Sequence, residues 1–241
     1  MIKFENVSVT YPGGVEALKD LNLEIKDGDF IIIVGLSGAG KSTLLRTVNN
    51  LVKPSTGSVY LEGKNVTSAK KKELKKIRSQ IGMIFQTFNL VNRSTVLKNV
   101  LTGRLSNIST IRSILGLWPK DQKEMAFEAL NQVEILEKAY VRASNLSGGQ
   151  QQRVGIARAL SQKPKVMLAD EPVASLDPIT SRVVMSYLKK INTELGITTI
   201  VNLHFLDLAK EFGDRLIGLR DGKLVFDGNV NDVSDEDFEN I

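Results

Sequence analysis

The apolar residues of this 241-residue chain are grouped in short unbroken runs separated by polar turns. Phe30 to Val34 is typical, because consecutive large apolar residues of this kind indicate a strand that is buried on both faces. Comparable strand-like runs occur at 81–85, 166–169 and 197–203, and the first 30 residues are also β-rich. These runs predict the sheet of an α/β protein.

A second pattern, with the period of a helix, fills the middle of the chain from about 87 to 162. The run from Lys120 to Leu136 is an example, with apolar residues at helical spacing. Strand character resumes at Lys165, a further helix is predicted at 179–195, and Asp221-Gly222 predicts a tight hairpin turn near the end. Since we find no internal repeat or linker, we expect one domain over residues 1–241: a core of 1–86 and 163–241 with a helical insert at 87–162.

The segment after the first apolar run matches a phosphate-binding loop. Residues 35–43 read GLSGAGKST and fit the pattern GxxxxGK[ST], whereas the GxGxxG of a dinucleotide fold is not in the right register. Its glycines let successive N–H groups surround phosphate oxygens, Lys41 adds a positive charge, and Ser42 can reach a magnesium ion. The candidate nucleotide-binding residues are Gly35, Ser37, Gly38, Ala39, Gly40, Lys41, Ser42 and Thr43.

Two adjacent carboxylates follow the apolar run 166–169. Asp170 stands where a P-loop enzyme places the acid that holds magnesium through its water shell, and Glu171 is placed to accept a proton from the attacking water. The alternative is a pair of surface acids at a strand end. Because open α/β sheets bind ligands at the carboxyl ends of core strands, the phosphate-binding loop favours the functional interpretation.

A third motif, LSGGQ, occupies residues 146–150. Ser147 is predicted to be the N-cap of a helix, and the free N–H groups of that helix, with Gly148 and Gly149, offer a second anion site. The simpler alternative is a capped helix start without a ligand. In either case the motif predicts a helix that begins at Gly148.

Four further positions complete a pattern of seven motifs, and over nearly its whole length the sequence resembles the ATP-binding subunits of ABC transporters. Tyr11 stands where that family stacks an aromatic ring on adenine, although an ordinary aromatic beside the turn at 12–14 is the alternative. Gln86 stands where the family contacts magnesium and the attacking water. His204, the single histidine, stands where it contacts the γ-phosphate, and Asp177 ends a D-loop motif that crosses between subunits.

The resemblance implies a P-loop NTPase core with an N-terminal antiparallel β subdomain and an inserted α-helical subdomain. It also implies that the LSGGQ segment faces the phosphate-binding loop of a second copy, so that ATP and Mg²⁺ lie between two subunits. The nucleotide site would then include Ser147, Gly148, Gly149, Gln150 and Asp177, and the magnesium site Ser42, Gln86 and Asp170. The implied catalytic residues are Lys41, Gln86, Glu171 and His204.

Composition narrows the class of protein further. The chain has no cysteine, hence no disulfide framework, and no apolar run approaches the roughly 18 residues needed to span a bilayer. Much of the net charge of +5 lies in the predicted helix 70–78, whose charged face we interpret as solvated. The alternative is an electrostatic role toward nucleic acid or anionic lipid headgroups. With these features, the resemblance implies a peripheral protein on the cytoplasmic side of the cell membrane, without a nucleic-acid partner.

Four segments resemble the phosphonate-import ATPases more narrowly than the shared motifs do. They are residues 100–105, 112–117, 169–178 and 200–204. Phe205 departs from that group, in which a glutamine follows the histidine. The resemblance implies a transmembrane permease docked near the insert after Gln86 and an external solute-binding protein that acts indirectly.

Two other functions stay open from the sequence alone. An exporter-type or lipoprotein-releasing ATPase would share every catalytic motif. A non-transport ATPase that acts on nucleic acid or ribosomes is disfavoured, because such relatives usually carry long coiled coils or a second ATPase half, and this chain has neither.

Overall fold

The computed structural model describes residues 1–233 and Ile241 and arranges them around two sheets. The first sheet is antiparallel and has the strand order β2-β1-β4-β5. Its strands are β1 (Ile2–Thr10), β2 (Glu16–Ile25), β4 (Thr56–Leu61) and β5 (Lys64–Asn65). This sheet is the antiparallel β subdomain that the resemblance implied.

The second sheet has the strand order β10-β9-β3-β8-β7-β6 and is parallel except for β10 at its edge. Its strands are β3 (Phe30–Val34), β6 (Ile81–Ile84), β7 (Val166–Asp170), β8 (Thr198–Asn202), β9 (Arg215–Arg220) and β10 (Lys223–Asn229). The carboxyl ends of β3, β6, β7 and β8 therefore meet at one edge, where an α/β sheet places its ligands.

Helices surround this sheet and fill the predicted insert. They are α1 (Lys41–Val48), α2 (Lys71–Arg78), α3 (Val96–Leu101), α4 (Thr110–Ile114), α5 (Lys120–Gln132), α6 (Gly148–Leu160), α7 (Pro178–Leu195) and α8 (Leu206–Phe212). Short 3₁₀ segments lie at Thr102–Asn107, Leu136–Lys138, Ala143–Asn145 and Val230–Asp232. In the described part of the chain, none of the helices combines the length and apolar content required to cross a bilayer.

Two local predictions can be compared directly with these elements. The hairpin at Asp221-Gly222 is confirmed, and both residues have the positive φ, 51° and 79°, that a type I′ turn requires. The helix expected over 120–136 is too long by four residues, because α5 ends at Gln132 and Glu134 takes a left-handed φ of 53°.

The residues of β3 alternate between two hydrophobic clusters. Phe30, Ile32 and Val34 face the layer of helices that includes α3, α5, α6 and α7, whereas Ile31 and Ile33 face α1 and the antiparallel sheet. Because the helices of 87–162 share the first cluster with the sheet, the insert has no separate core. The boundaries 1–86, 87–162 and 163–241 stay a prediction, and residues 234–240 lie outside the described part.

Candidate functional site

The loop between β3 and α1 is shaped by glycines at its two ends. Gly35 and Gly40 have φ values of 148° and 104°. A Cβ atom would lie 2.2 Å from the carbonyl oxygen of Leu219 at the first position and 2.3 Å from that of Ala17 at the second. Glycine is therefore required at both, and the loop stays close to the neighbouring strands.

Lys41 is held inside this loop. It is only 4% exposed, and its Nζ donates hydrogen bonds to the carbonyl oxygens of Gly35 at 2.7 Å and Leu36 at 3.0 Å. Burial lowers the pKa of the lysine, and the nearby carboxylates of Glu171 and Asp170 oppose that shift. The ammonium group is therefore held inside the loop that the sequence predicts to bind phosphate.

Asp170, the last residue of β7, accepts hydrogen bonds from three side chains. Its Oδ1 accepts from Ser42 Oγ at 2.7 Å and from Asn202 Nδ2 at 2.9 Å, and its Oδ2 accepts from Arg46 Nη2 at 3.0 Å. Asp170 and Asn202 are also register partners on β7 and β8. The hydroxyl and carboxylate oxygens of Ser42 and Asp170 are the hard ligands that Mg²⁺ prefers, so this donor set fits the ion.

Glu171 and His204 form a close pair beside this cluster. His204 Nε2 lies 2.5 Å from Glu171 Oε1. Glu171 adopts a left-handed φ of 51° at the turn after β7, and His204 follows β8, so neighbouring strand ends present both side chains to one edge. The pair brings a carboxylate and an imidazole, two groups capable of proton transfer, next to the phosphate-binding loop.

Tyr11 and Gln86 reach the same region from other elements. The hydroxyl of Tyr11, which follows β1, lies 3.1 Å from Oγ1 of Thr43 in the first turn of α1, and the residue is 38% exposed. Gln86 is exposed and follows β6 at the carboxyl edge of the sheet. Both positions are compatible with the predicted roles at adenine and at the attacking water, which stay predictions.

The LSGGQ segment forms the start of α6 with a complete capping box. Ser147 Oγ accepts from the N–H of Gln150 at 3.4 Å, and Gln150 Oε1 accepts from the N–H of Ser147 at 3.0 Å. Any side chain at Gly149 would meet Thr180 of α7, since a Cβ would lie 2.3 Å from Thr180 Cγ2. The predicted N-cap is therefore confirmed, and Gly149 is also required by packing.

The two motifs predicted to bind phosphate are separate within one chain. Across residues 1–233, no hydrogen bond or ion pair joins the segment 147–150 to the loop 35–43. Asp177 lies near the LSGGQ segment as the N-cap of α7, and hydrogen bonds from Thr180 lower the pKa of its carboxyl group. The fold therefore presents the predicted site as two parts, one at the sheet edge and one at the start of α6.

Three residues at the site were not predicted from the sequence. Arg46 lies four residues after Ser42 on α1, so both side chains are on the same face of the helix. This spacing is the sequence signal that could have identified Arg46 as a second partner of Asp170. Asn202 and Arg158 gave no such signal, because their roles depend on strand pairing and on tertiary contacts. The guanidinium of Arg158 donates to the carbonyl oxygens of Asn89 at 2.5 Å and Phe88 at 3.0 Å, in the loop after Gln86.

Comparison with known proteins identifies close relatives over the full length of the chain. It is 57% identical over 241 residues to the phosphonates import ATP-binding protein PhnC 3 of Halalkalibacterium halodurans, covering all of this chain and 93% of that protein. It is 59% identical to the phosphonates import ATP-binding protein PhnC of Bacillus thuringiensis subsp. konkukian, with coverage of 100% and 94%.

Solved structures of ATP-binding cassettes share the fold. The dimeric bacterial ABC transporter cassette MJ0796 superposes with a TM-score of 0.84 and 39% identity, covering 95% of this chain and 99% of that one. A second structure of the same cassette, a dimer in a post-hydrolysis state with ADP and Pi, gives a TM-score of 0.82 at the same identity and coverage. The family model described as ABC transporter matches residues 18–174, and the chain therefore belongs to the ABC transporter ATP-binding family.

Proposed function

We propose that this chain is the ATP-hydrolysing subunit of an ABC importer that takes up a phosphonate or a related phosphorus oxyanion. The observation that carries the ATPase assignment is the cluster at the sheet edge, where Ser42 and Asp170 lie beside the Glu171–His204 pair. The full-length relatives named as phosphonate import proteins support the transport assignment.

Nucleotide binding relies on the loop 35–43. Its N–H groups and the start of α1 surround the phosphates, and Lys41 exchanges its bonds to Gly35 and Leu36 for bonds to phosphate oxygens. Burial disfavours the charged form of Lys41, and the negative charge of a bound phosphate stabilises that charged form. Tyr11 stacks on the adenine ring.

Ser42, Asp170 and Gln86 would hold Mg²⁺, with Asp170 acting through water. When bound, the ion neutralises charge on the phosphate oxygens. Arg46 and Asn202 orient the Asp170 carboxylate through their hydrogen bonds at 3.0 Å and 2.9 Å. The carboxylate is therefore fixed before any ligand arrives, which reduces the cost of ordering the site.

Hydrolysis requires a base for the attacking water. Glu171 accepts the proton from that water, and Gln86 positions the water. His204 holds the Glu171 carboxylate through its Nε2 and contacts the γ-phosphate.

The working unit is a dimer of this chain. The start of α6 in one copy, with Ser147, Gly148, Gly149 and Gln150, faces the phosphate-binding loop of the other, and Asp177 crosses beside it. ATP binding joins the two copies, and hydrolysis lets them separate. That cycle drives a transmembrane permease docked near the helical insert on the cytoplasmic side of the membrane, while an external solute-binding protein supplies the substrate.

Reconstitution in proteoliposomes tests the transport assignment. The chain is combined with a phosphonate-class permease and its binding protein, and ATP hydrolysis is measured with an alkylphosphonate and with the alkylsulfonate of the same carbon skeleton as control. We expect the phosphonate alone to stimulate hydrolysis. Equal stimulation by both anions would contradict the substrate assignment, and hydrolysis that drives efflux from the vesicles would favour the exporter alternative.

A further inference from the structure

A glutamine in the first half of α6 is fully buried without a hydrogen-bond partner. Gln152 is 0% exposed, and in the described part of the chain neither its Nε2 nor its Oε1 is bonded. Its neighbours differ, since Gln150 Oε1 accepts from the N–H of Ser147 and Gln151 Nε2 donates to the carbonyl of Leu146. An amide buried in this way is costly, because it has lost its bonds to water and gained none in return.

The glutamine Gln122 on α5 is buried in a different way. It is 7% exposed, but its Oε1 accepts from Arg104 Nε at 2.8 Å and its Nε2 donates to Asp121 Oδ2 at 2.6 Å. Buried polar side chains in native proteins are normally bonded as Gln122 is. The unpaired amide of Gln152 therefore requires an explanation other than stability.

The face of α6 that carries Gln152 is turned toward the loop after Gln86. A Cβ at Gly148, four residues earlier, would lie 3.7 Å from Phe88 Cζ, and one at Gly155, three residues later, would lie 3.8 Å from the Phe88 carbonyl oxygen. Positions with these spacings share one face of a helix. Gln152 therefore lies between two positions that are both next to Phe88.

The loop is strained where it passes α6. Phe88 and Asn89 have left-handed φ values of 55° and 53°, and this conformation is unfavourable for a bulky residue such as phenylalanine. Within residues 1–233, the backbone N–H and carbonyl of Gln86 have no hydrogen-bond partner in the protein. The loop therefore has both the strain and the free backbone groups needed to adopt a second arrangement.

We propose that Gln152 is a positioning residue for Gln86, and that its amide binds the backbone of residues 86–88 when nucleotide is bound. In that arrangement Nε2 donates to a carbonyl of the loop and Oε1 accepts from one of its N–H groups, so the amide is no longer unpaired. Because this gain exists in only one of the two arrangements, it shifts the equilibrium toward that one. The inference rests on the proposed ATPase function, in which Gln86 contacts magnesium and the attacking water.

The variant Gln152→Met tests whether the amide is unpaired before nucleotide binds. Methionine keeps the length of the side chain and removes both polar atoms. We expect the urea midpoint of the nucleotide-free chain to rise by about 0.3 M or more. The matched control Gln122→Met should lower the midpoint, since it leaves Arg104 without that acceptor. A lower midpoint in Gln152→Met would overturn the proposal, because the amide would then be paired in solution.

Steady-state kinetics separate a positioning role from a structural one. Gln152→Met should lower kcat for ATP hydrolysis about tenfold and leave KM and the binding of a fluorescent ATP analogue unchanged. Gln122→Met should hydrolyse ATP at the wild-type rate. An unchanged kcat in Gln152→Met would overturn the proposal. A wild type without ATPase activity would instead refute the proposed function, on which the inference rests.

Hydrogen exchange locates the contact. In the Glu171→Gln background, with ATP bound, the N–H groups of residues 86–88 should exchange at least about tenfold more slowly than in the nucleotide-free chain. Adding Gln152→Met should abolish that protection. Leu176 also lies next to this face of α6, 3.2 Å from a Cβ at Gly148. If the protection that is lost lies in residues 173–177, the loop after Gln86 is not the partner and the proposal is wrong.

Discussion

At the residue scale, the site consists of polar side chains that restrain one another before any ligand binds. Asp170 is fixed by Ser42, Arg46 and Asn202, and Glu171 is paired with His204. Pre-arranged groups of this kind lower the cost of reaching the transition state, since little has to move when substrate arrives. The two adjacent carboxylates therefore have different partners, which fits the different roles proposed for them.

The variant Glu171→Gln tests the assignment of the base. The amide keeps the size of the side chain but is a far weaker proton acceptor, so ATP turnover should fall by about 10²- to 10⁴-fold while nucleotide affinity is retained. Phosphate release and binding of a fluorescent ATP analogue measure the two quantities. Glu194→Gln, an exposed change on α7, is the control, and normal turnover in Glu171→Gln would assign the base elsewhere.

At the element scale, α6 connects parts of the site that are distant in sequence. Its first turn is the LSGGQ segment, and a Cβ at Gly148 would touch Leu176 of the D-loop motif and Phe88 of the loop after Gln86. Its last turn carries Arg158, whose guanidinium binds that same loop at Phe88 and Asn89. Through Arg158, α6 therefore links the LSGGQ segment to the loop that follows Gln86.

The variant Arg158→Ala tests this connection. Phe88 and Asn89 have left-handed φ values of 55° and 53°, and loss of the guanidinium frees both carbonyls. We expect a loss of about 2 kcal/mol in the free energy of unfolding, from the lost charged hydrogen bonds, and about a tenfold lower turnover with unchanged ATP affinity. Urea unfolding and steady-state kinetics measure these effects.

The matched control for Arg158 is Arg182→Ala on α7. Its exposed ion pair with Glu211, at 2.9 Å, should contribute less than about 1 kcal/mol and should leave turnover unchanged. If both variants behaved alike in stability and in kinetics, Arg158 would have no positioning role.

The variant Ser147→Arg tests the start of α6 as a binding element. The arginine removes the N-cap, at a cost of about 1 kcal/mol, and fills the space in which a phosphate from a second copy would lie. Binding at the loop 35–43 should persist, and turnover should be abolished. The control variant Thr95→Arg removes the N-cap of α3 and should keep its ATPase activity. If Ser147→Arg still hydrolysed ATP, the LSGGQ segment would lie outside the site.

At the scale of the whole molecule, the proposed dimer requires each chain to carry two incomplete halves of a site. In that proposal the sheet edge binds the nucleotide from one side, whereas the start of α6 is a separate part of the chain. The similar cassette MJ0796 is described as a dimer. Assembly of two copies would complete both sites at once, because a two-fold interface uses the same surfaces twice.

The dependence of activity on concentration tests this assembly. Specific ATPase activity should rise with protein concentration until dimers dominate, when it is measured over about a hundredfold range of dilution. Mixing Ser147→Arg protein with Lys41→Ala protein should restore activity that neither has alone, because a mixed dimer retains one intact pair of halves. A constant specific activity together with no recovery on mixing would indicate a complete site within one chain.

The sequence by itself determined the motifs, because each is a local pattern. The loop 35–43 needs only consecutive residues to bind phosphate, and the Ser147 cap depends on Gln150 three residues later. The family could also be predicted, because the motifs and their order are both read directly from the sequence. Full-length relatives confirmed that prediction. The strand ends that carry Gln86, Asp170 and His204 could likewise be predicted from apolar runs.

Only the tertiary structure decided which of these local patterns touch one another. The order of strands places Asn202 against Asp170, and the packing of α6 places Arg158 on the loop after Gln86. It also leaves Ile114, Leu115 and Leu117 exposed, although the segment 112–117 that contains them served in the sequence as a mark of the subfamily. Hydrophobic periodicity records whether a side chain can be buried, whereas strand pairing and helix packing decide its neighbours.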